Sequence, residues 1–303
     1  AVIDTNVLLV ANGQHDEVSE DCVAECVKQL QAVQQKGIVV IDDGSTDETS
    51  TVVQPFLSDS RVRYLQTNGL GQSRAKNLGI GLASASLLAF LDGDDIWEPA
   101  KLAQQLPLFT KPAIGVVYSR RTLIDPTGKV LSTPAGTYHT GHVYEALLAQ
   151  NFVCFSSVIV RREVFESVGV FSPNLQLAID YDLWLRVAQH YEFAYVDATL
   201  VRYRTGHANL SKRLTERIAT VLSILRRSLV RRGCSAKASK PAQQEAWGST
   251  LRTLAYVLRP QEPFRAAGCY LRAASVDGHW FKSLRSIFGL LGRWVMMNKN
   301  KSK

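Results

Sequence analysis

"AFLDGDDIWEP" occupies residues 89–99. An apolar run closes there on three carboxylates, Asp92, Asp94 and Asp95, broken only by Gly93. Like charges packed this closely repel, so the arrangement gains stability only when something positive arrives. In extended backbone, residues two apart point the same way, so Asp92 and Asp94 can face one point. Hard carboxylate oxygens without His or Cys suit Mg²⁺ or Mn²⁺, and a substrate diphosphate can complete the coordination. An Asp-Gly turn that merely ends a strand is the competing reading, since both are turn residues. A fully apolar strand running into three acids weighs toward the metal.

Working outward, strand-like and helix-like segments alternate. "GIVVIDDGSTDET" reads as a strand, a turn and a helix start, with Ser45 and Thr46 able to cap and Asp47 and Glu48 suited to the positive helix end. "RVRYLQT" is a short strand, "GQSRAKNLGIGLASA" a helix, "SLLAFLDGDD" a strand and "IWEPAKLAQQLPLF" a helix again. Residues 2–10, rich in Val, Ile and Leu, suggest a buried parallel strand, and residues 16–35 a helix ended by Gly37. Four alternations within about 110 residues predict an α/β fold with a doubly wound, mostly parallel sheet. Ligands of such sheets bind beyond the carboxyl ends of the strands. "DDGSTD" and "DGDD" both fall there, so they can converge on one crevice. Asp42 or Asp43 can accept hydrogen bonds from a nucleobase, or the segment is simply a turn and helix cap.

From residue 114 the rhythm changes. "AIGVVYSRRTLIDPTGKVLST" predicts two strands around an Asp-Pro-Thr-Gly turn. "FSSVIVRREVFESVGVF" predicts a strand and short helix, "DYDLWLRVAQH" a helix with Leu183, Trp184 and Val187 on its apolar face, and "EFAYVDATLVRYR" a strand. Beyond 213 the chain reads as helical, broken near 233–244 and at Pro260 and Pro263. The expected organisation is a domain over 1–212, with an atypical opening over 1–40, a nucleotide-binding half over 37–112 and an acceptor half over 113–212. A basic helical extension follows over 213–303.

Composition bounds the function classes. The 303 residues are 46% hydrophobic and 20% charged, the profile of an ordinary globular protein with a sizeable core. No apolar stretch reaches the roughly 18–20 residues of a spanning helix. The opening lacks the basic flank of a signal peptide. Five scattered cysteines, Cys22, Cys26, Cys154, Cys234 and Cys269, contain no CxxC pair, which fits a reducing compartment rather than a disulfide framework or zinc site. Residues 213–303 carry 18 Lys and Arg against 4 Asp and Glu, hence +14, so the first 212 carry −6 of the total +8. That basic tail suits anionic lipid, nucleic acid or a solvated helix surface.

Taken in order and spacing, "VVIDDGSTDET", "GQSRAKNLGIGLA", "AFLDGDDIWEPAKL" and "DYDLWLRVA" resemble the family 2 glycosyltransferases of GT-A fold. The match runs over about residues 37–211. The resemblance implies an inverting enzyme that moves a sugar from a nucleotide-sugar donor, usually UDP-linked, to a hydroxyl of a saccharide or lipid-linked acceptor, with Mg²⁺ or Mn²⁺. It places Asp43, with Asp42 behind it, at the nucleotide base, and Lys76 and Asn77 near the donor with Arg74 as a further cation. It gives Asp92 to the ribose or the metal, and Asp94 and Asp95 to the metal. Asp180 stands where the family has its catalytic base, although Ile179 replaces the acid that often precedes it. Asp182 is the alternative base, or a capping or pairing residue. Trp184 is core or an acceptor platform. Arg204 or His207, in "VRYRTGHANLS", is placed to touch the diphosphate.

The first forty residues depart from that pattern. "AVIDTNVLLVANGQHDEVSEDC" resembles the opening of PIN-domain ribonucleases, in which an acid placed like Asp4 binds metal. Asn12 is a candidate stand-in for the donor-pocket Asn that the transferases carry. A PIN-type ribonuclease, or a nucleotide-binding remnant of the transferase fold, is therefore the alternative. Nucleic acid is otherwise not the expected partner, and "FKSLRSIFGLLGRWVMM" can form an amphipathic helix that rests on an anionic membrane or packs on the protein. A cytoplasmic protein, peripheral at the membrane's inner face, is expected.

Overall fold

The computed structural model describes residues 5–11, 22–25, 27–28, 37–206, 213–230 and 238–299. Asp4, Asn12, Cys26, His207 and Cys234 lie outside them. The chain divides into two compact units, Ala1–Val143 with Phe152–Asn209, and Tyr144–Asn151 with Leu210–Lys303.

The first unit is built on one mixed sheet. Its strands are β1 (Thr5–Ala11), β2 (Gly37–Asp42), β3 (Val62–Gln66), β4 (Leu87–Asp92), β5 (Ile96–Trp97), β6 (Ile114–Ile124), β7 (Val130–Ser132), β8 (Ile159–Arg161) and β9 (Glu192–Arg204). They lie in the order β3-β2-β1-β4-β8-β6-β9-β5, with β7 paired to β6. β3, β2, β1 and β4 are parallel. β8 runs antiparallel to both β4 and β6, while β6 and β9 are parallel. The mostly parallel expectation thus holds for the first half and becomes a mixed sheet in the second. The β6–β7 hairpin closes as predicted, because the Asp125 carboxylate accepts from Thr127 N, Thr127 Oγ1 and Lys129 N at 2.9, 2.7 and 3.0 Å.

Burial on both faces explains the uninterrupted apolar strands. Ile38, Val40, Leu87, Ala89 and Leu91 enter one core cluster with Trp97, Leu102 and Val117. Phe90 faces the other way, with its ring 5.3, 5.9 and 6.1 Å from those of Phe155, Phe165 and Phe171. Full burial of one such phenyl ring contributes about 2–3 kcal/mol.

Residues 22–25 and 27–28 are helical, and further helices in this unit are α1 (Thr49–Val53), α2 (Gln72–Leu82) and α3 (Lys101–Gln105); α4 (Tyr144–Ala149) belongs to the second unit; α5 (Arg162–Val168) and α6 (Ile179–Val187) return to the first. Two expectations are corrected here. "IWEPAKLAQQLPLF" opens with the short strand β5, since Ile96 and Trp97 pair with Arg202 and Val201 of β9. Ser45 and Thr46 do not cap α1; Asp47 Oδ1 accepts from Thr49 N at 2.9 Å.

The second unit adds α7 (Leu214–Val230), α8 (Lys240–Leu258), α9 (Pro263–Asp277) and α10 (Trp280–Lys299). α8 begins inside the stretch read as a break, because Ser239 Oγ accepts from Ala242 N and Pro241 fits the first turn. Ala255 and Leu258 of α8 pack with Ala266 and Tyr270 of α9 in a shared core. Arg252 pairs with both Glu245 and Asp277. Among the described residues, no helix is long and apolar enough to cross a membrane.

Candidate active site

Sheet register places the acidic strand ends side by side. Ala11 pairs with Asp42 on one flank of β1, and Val10 with Asp92 on the other. Two strand spacings, about 10 Å, therefore separate the ends that carry these aspartates. β1 supplies the missing strand between them, whichever family its sequence resembles.

Asp42 and Asp43 divide the work at the end of β2. Asp42 is fully buried and accepts from Tyr64 Oη at 2.5 Å, Ser45 N at 2.8 Å and Gln66 Nε2 at 3.4 Å. Asp43 accepts from Thr67 Oγ1 at 2.6 Å and from Leu70 N and Gly71 N at 2.6 and 2.7 Å. Its carboxylate so folds residues 67–71 into the far wall of a cleft of about 480 Å³ lined by Asp43, Gly44, Ser45, Gln66, Thr67, Asn68 and Gly69. Gly44 has φ +84°, and a Cβ there would come within 3.0 Å of Gly69 N. Only glycine lets the two loops close this near.

Beyond β4, Asp92 Oδ1 accepts from Lys76 Nζ at 2.7 Å, and its side chain stays 24% exposed. Asp95 turns inward, fully buried, and accepts from Ser156 Oγ at 2.5 Å and Arg204 N at 2.9 Å. The same Ser156 hydroxyl accepts from Asp92 N at 3.1 Å, and its carbonyl takes Trp97 Nε1 at 2.7 Å. One serine thereby fixes both ends of the acidic turn. Arg204 adds Nε to Asp94 O at 2.8 Å and Nη1 to the Asp125 and Pro126 carbonyls at 3.1 and 2.8 Å.

The acids are close enough to feel one another. Burial raises the Asp92 carboxyl above the usual range against the pull of Lys76, and Asp94 and Asp180 push it further. Burial raises Asp95 well above that range, with Asp94 and Asp92 adding to it. Tyr203, missed in the sequence, borders the same cluster: burial raises its phenol, and Asp95, Cys154, Asp92 and Asp94 reinforce the shift.

Asp180 is positioned through α2. Gln72 Nε2 and Ser73 Oγ donate to the Gln176 and Leu175 carbonyls at 2.5 and 2.8 Å. Asn77 both donates to Phe171 O at 2.8 Å and accepts from Phe171 N at 2.9 Å. These bonds pin residues 171–176 along one face of α2, and Lys76 of that helix reaches Asp92. Ala178, at φ +52°, then turns the chain into α6. A left-handed alanine costs on the order of 1 kcal/mol and is held only by its surroundings.

Six of the expected residues thus gather near the strand ends: Asp43 on the cleft, Lys76, Asp92, Asp94 and Asp95 together, and Asp180 within electrostatic reach of Asp92. Asp42, Asn77 and Arg204 are engaged in bracing bonds, and Arg74 stands exposed on α2. Trp184 is fully buried between Phe155 and Phe193, so it is core and no acceptor platform. Asp182 pairs with Arg186 at 3.1 Å. His207 falls outside the described residues. Ser156 gave no signal in the sequence, being 64 residues from Asp92.

The carboxylate cluster has a consequence for stability. Asp92 and Asp95 hold their protons more tightly folded than unfolded. Above the unfolded value, about 4, the folded state therefore binds more protons and stability falls as pH rises. In chelator-treated protein the melting midpoint is expected to drop as pH rises from about 4, and to drop less in Asp95→Asn. Scanning fluorimetry of both proteins across pH checks this; parallel curves would refute it.

Comparison with known proteins identifies the family and the fold. Residues 15–169, just over half the chain, match the family described as Glycosyl transferase family 2. An uncharacterized glycosyltransferase of Rickettsia felis is 27% identical over 167 residues, covering 55% of this chain and 28% of that protein. The chain spans about a quarter of the length of the first curated relatives it matches. Escherichia coli WfgD, a UDP-Glc:alpha-D-GlcNAc-diphosphoundecaprenol beta-1,3-glucosyltransferase, is 28% identical over 57% of this chain and 67% of its own. Among solved structures, the mannosyltransferase PcManGT of Pyrobaculum calidifontis, in complex with GDP-Man and Mn²⁺, superposes with TM-score 0.61 at 16% identity, over 94% of this chain and 79% of that one. TarS of S. aureus in complex with UDP-GlcNAc gives 0.57 at 15% identity over 92% of each. These likenesses show the GT-A fold, and with the match over 15–169 the chain belongs to glycosyl transferase family 2.

Proposed function

We propose that this chain transfers a sugar from a nucleotide-sugar donor, UDP-linked, to a hydroxyl of a saccharide or lipid-linked acceptor, with inversion at the anomeric carbon and with Mg²⁺ or Mn²⁺. The observation that carries the reading is the gathering of Asp92, Asp94 and Asp95 at one strand end, with Asp180 close enough to act on Asp92. The names of TarS and WfgD support a UDP-linked donor, that of WfgD a lipid-linked acceptor, and that of PcManGT a divalent metal.

The donor set suits a hard cation. Asp92 and Asp94 supply oxygens only, Asp92 is open on one side, and mutual repulsion leaves the cluster short of positive charge. Asp92 and Asp94 would hold the ion, while Asp95, occupied by Ser156 and Arg204, fixes the turn that presents them. When bound, the ion supplies Lewis-acid neutralisation of the departing nucleoside diphosphate.

The protein's own groups do the rest. The Asp43 cleft takes the base between residues 43–45 and 66–69. Lys76, held against Asp92, keeps cationic charge beside the diphosphate. Asp180 accepts the proton of the acceptor hydroxyl as that oxygen attacks the anomeric carbon from the face opposite the leaving group. One in-line displacement inverts the centre.

Thermal shifts with a panel of UDP- and GDP-sugars, each with Mn²⁺, Mg²⁺ or chelator, test the donor and the metal. A ligand at a hundred times its Kd adds about 2.7 kcal/mol, a rise on the order of 5–10 °C for a domain of this size. The expected result is a rise with one nucleotide class that chelator removes. A rise of equal size in chelator overturns the metal dependence, and no rise with any donor overturns the donor assignment.

A further inference from the structure

The second unit carries an aromatic surface that includes none of the residues placed at the candidate site. On α10, Phe281 is 82% exposed, Phe288 71%, Trp280 48% and Leu284 41%. At about 100° of turn per residue, these four fall within one arc of about 100°. Ser283 and Ile287 lie on the neighbouring side; Ser283 is fully buried, and Ile287 packs into the α8–α9 core. α10 is therefore docked through one face, with a second apolar face open to solvent. Large exposed aromatic patches of this kind mark interaction sites.

Charge identifies what covers it. Arg285 stands about 40° beyond the edge of the arc and Lys282 about 100° beyond it, both exposed. Residues 280–303 contain no Asp or Glu. A second copy laid on this face would bring cations against cations with no acid in the helix to pair them. A lipid headgroup layer offers the complementary sign, and Trp and Phe are the side chains that settle at the headgroup boundary. We propose that the Trp280–Phe288 face of α10 docks on an anionic bilayer, with its four apolar side chains in the interface and Lys282 and Arg285 on the headgroups. The inference rests on α10 alone and is independent of the donor and acceptor readings.

Sedimentation of the full chain with vesicles is the test, using phosphatidylcholine alone and with about one third phosphatidylglycerol. The expected partition is about tenfold or more stronger on the anionic vesicles, and weakens with salt. Phe281→Glu with Phe288→Glu is expected to lose binding at least tenfold, with an unchanged circular dichroism spectrum because both rings are exposed. Lys282→Glu with Arg285→Glu is expected to abolish the preference for anionic lipid. Equal partition on the two vesicle types overturns the proposal, as does unaltered binding by folded variants. So does a dimer, seen by light scattering, that the Phe variant disperses while vesicles capture neither protein.

Discussion

Replacing Asp94 by alanine is expected to lower transfer about a thousandfold and to remove the metal-dependent part of donor stabilisation. Metal stabilisation of charge in a transition state is worth several kcal/mol, and each 1.36 kcal/mol is a factor of ten in rate. Asp94 is chosen because its charge acts on both Asp92 and Asp95, pushing their carboxyls upward. Asp92 is shared with Lys76, and both Asp95 oxygens are engaged by Ser156 and Arg204. The backbone at Asp94 is held by Arg204 at its carbonyl, so truncating the side chain leaves the turn anchored. Two measurements separate the possibilities: initial rates with the best donor, and its thermal shift with and without Mn²⁺. A variant that keeps wild-type rate and metal response would remove Asp94 from the site. One that simply melts far lower would show it to be structural, the role assigned here to Asp95.

How much of this was legible in the sequence depends on how local each signal is. The strands GIVVID and LLAFLD announce themselves because both faces are buried, and β9 was delimited at both ends by its residues alone. Their acidic ends follow from strand chemistry, so the placement of Asp43, Asp92 and Asp94 at strand ends is legible without coordinates. Pairing order is not local. Nothing in IVR predicts that β8 slots antiparallel between β4 and β6. The two residues of β5 are too few to show a period, and their neighbours favour helix. Asp42, Asn77 and Arg204 were placed on the donor by position in a motif. Their bonds to Tyr64, Phe171 and the 125–126 carbonyls come from segments 22, 94 and 79 residues away. Ser156, which ties the acidic turn together, sits in a short 3₁₀ turn with no periodicity to read. The start of α8 was written in the sequence as Ser239 and Pro241, yet the surrounding Gly, Ser and Lys made it look like a linker.

Asp180→Asn is expected to cut the turnover number by about 10²–10⁴ while leaving donor affinity, metal response and melting temperature near those of the wild type. The substitution keeps size and hydrogen-bonding shape and removes only the capacity to take a proton. It also removes a charge that pushes Asp92 upward, so the apo protein should lose no stability. The position is enforced from a distance. Three α2 side chains hold residues 171–176, the left-handed Ala178 swings the chain, and α6 then starts at Ile179 with Asp180 in its first turn. Asp182, two residues on, lies about 200° around the helix and is paired with Arg186, so Asp182→Asn should weaken folding and spare turnover. Steady-state kinetics with varied acceptor distinguish the two variants. A fall in kcat at unchanged donor Kd for Asp180→Asn, against a lower melting point at unchanged kcat for Asp182→Asn, places the base at 180. The reverse pattern would move the base to 182 and leave the strained turn at Ala178 with no catalytic reason to exist.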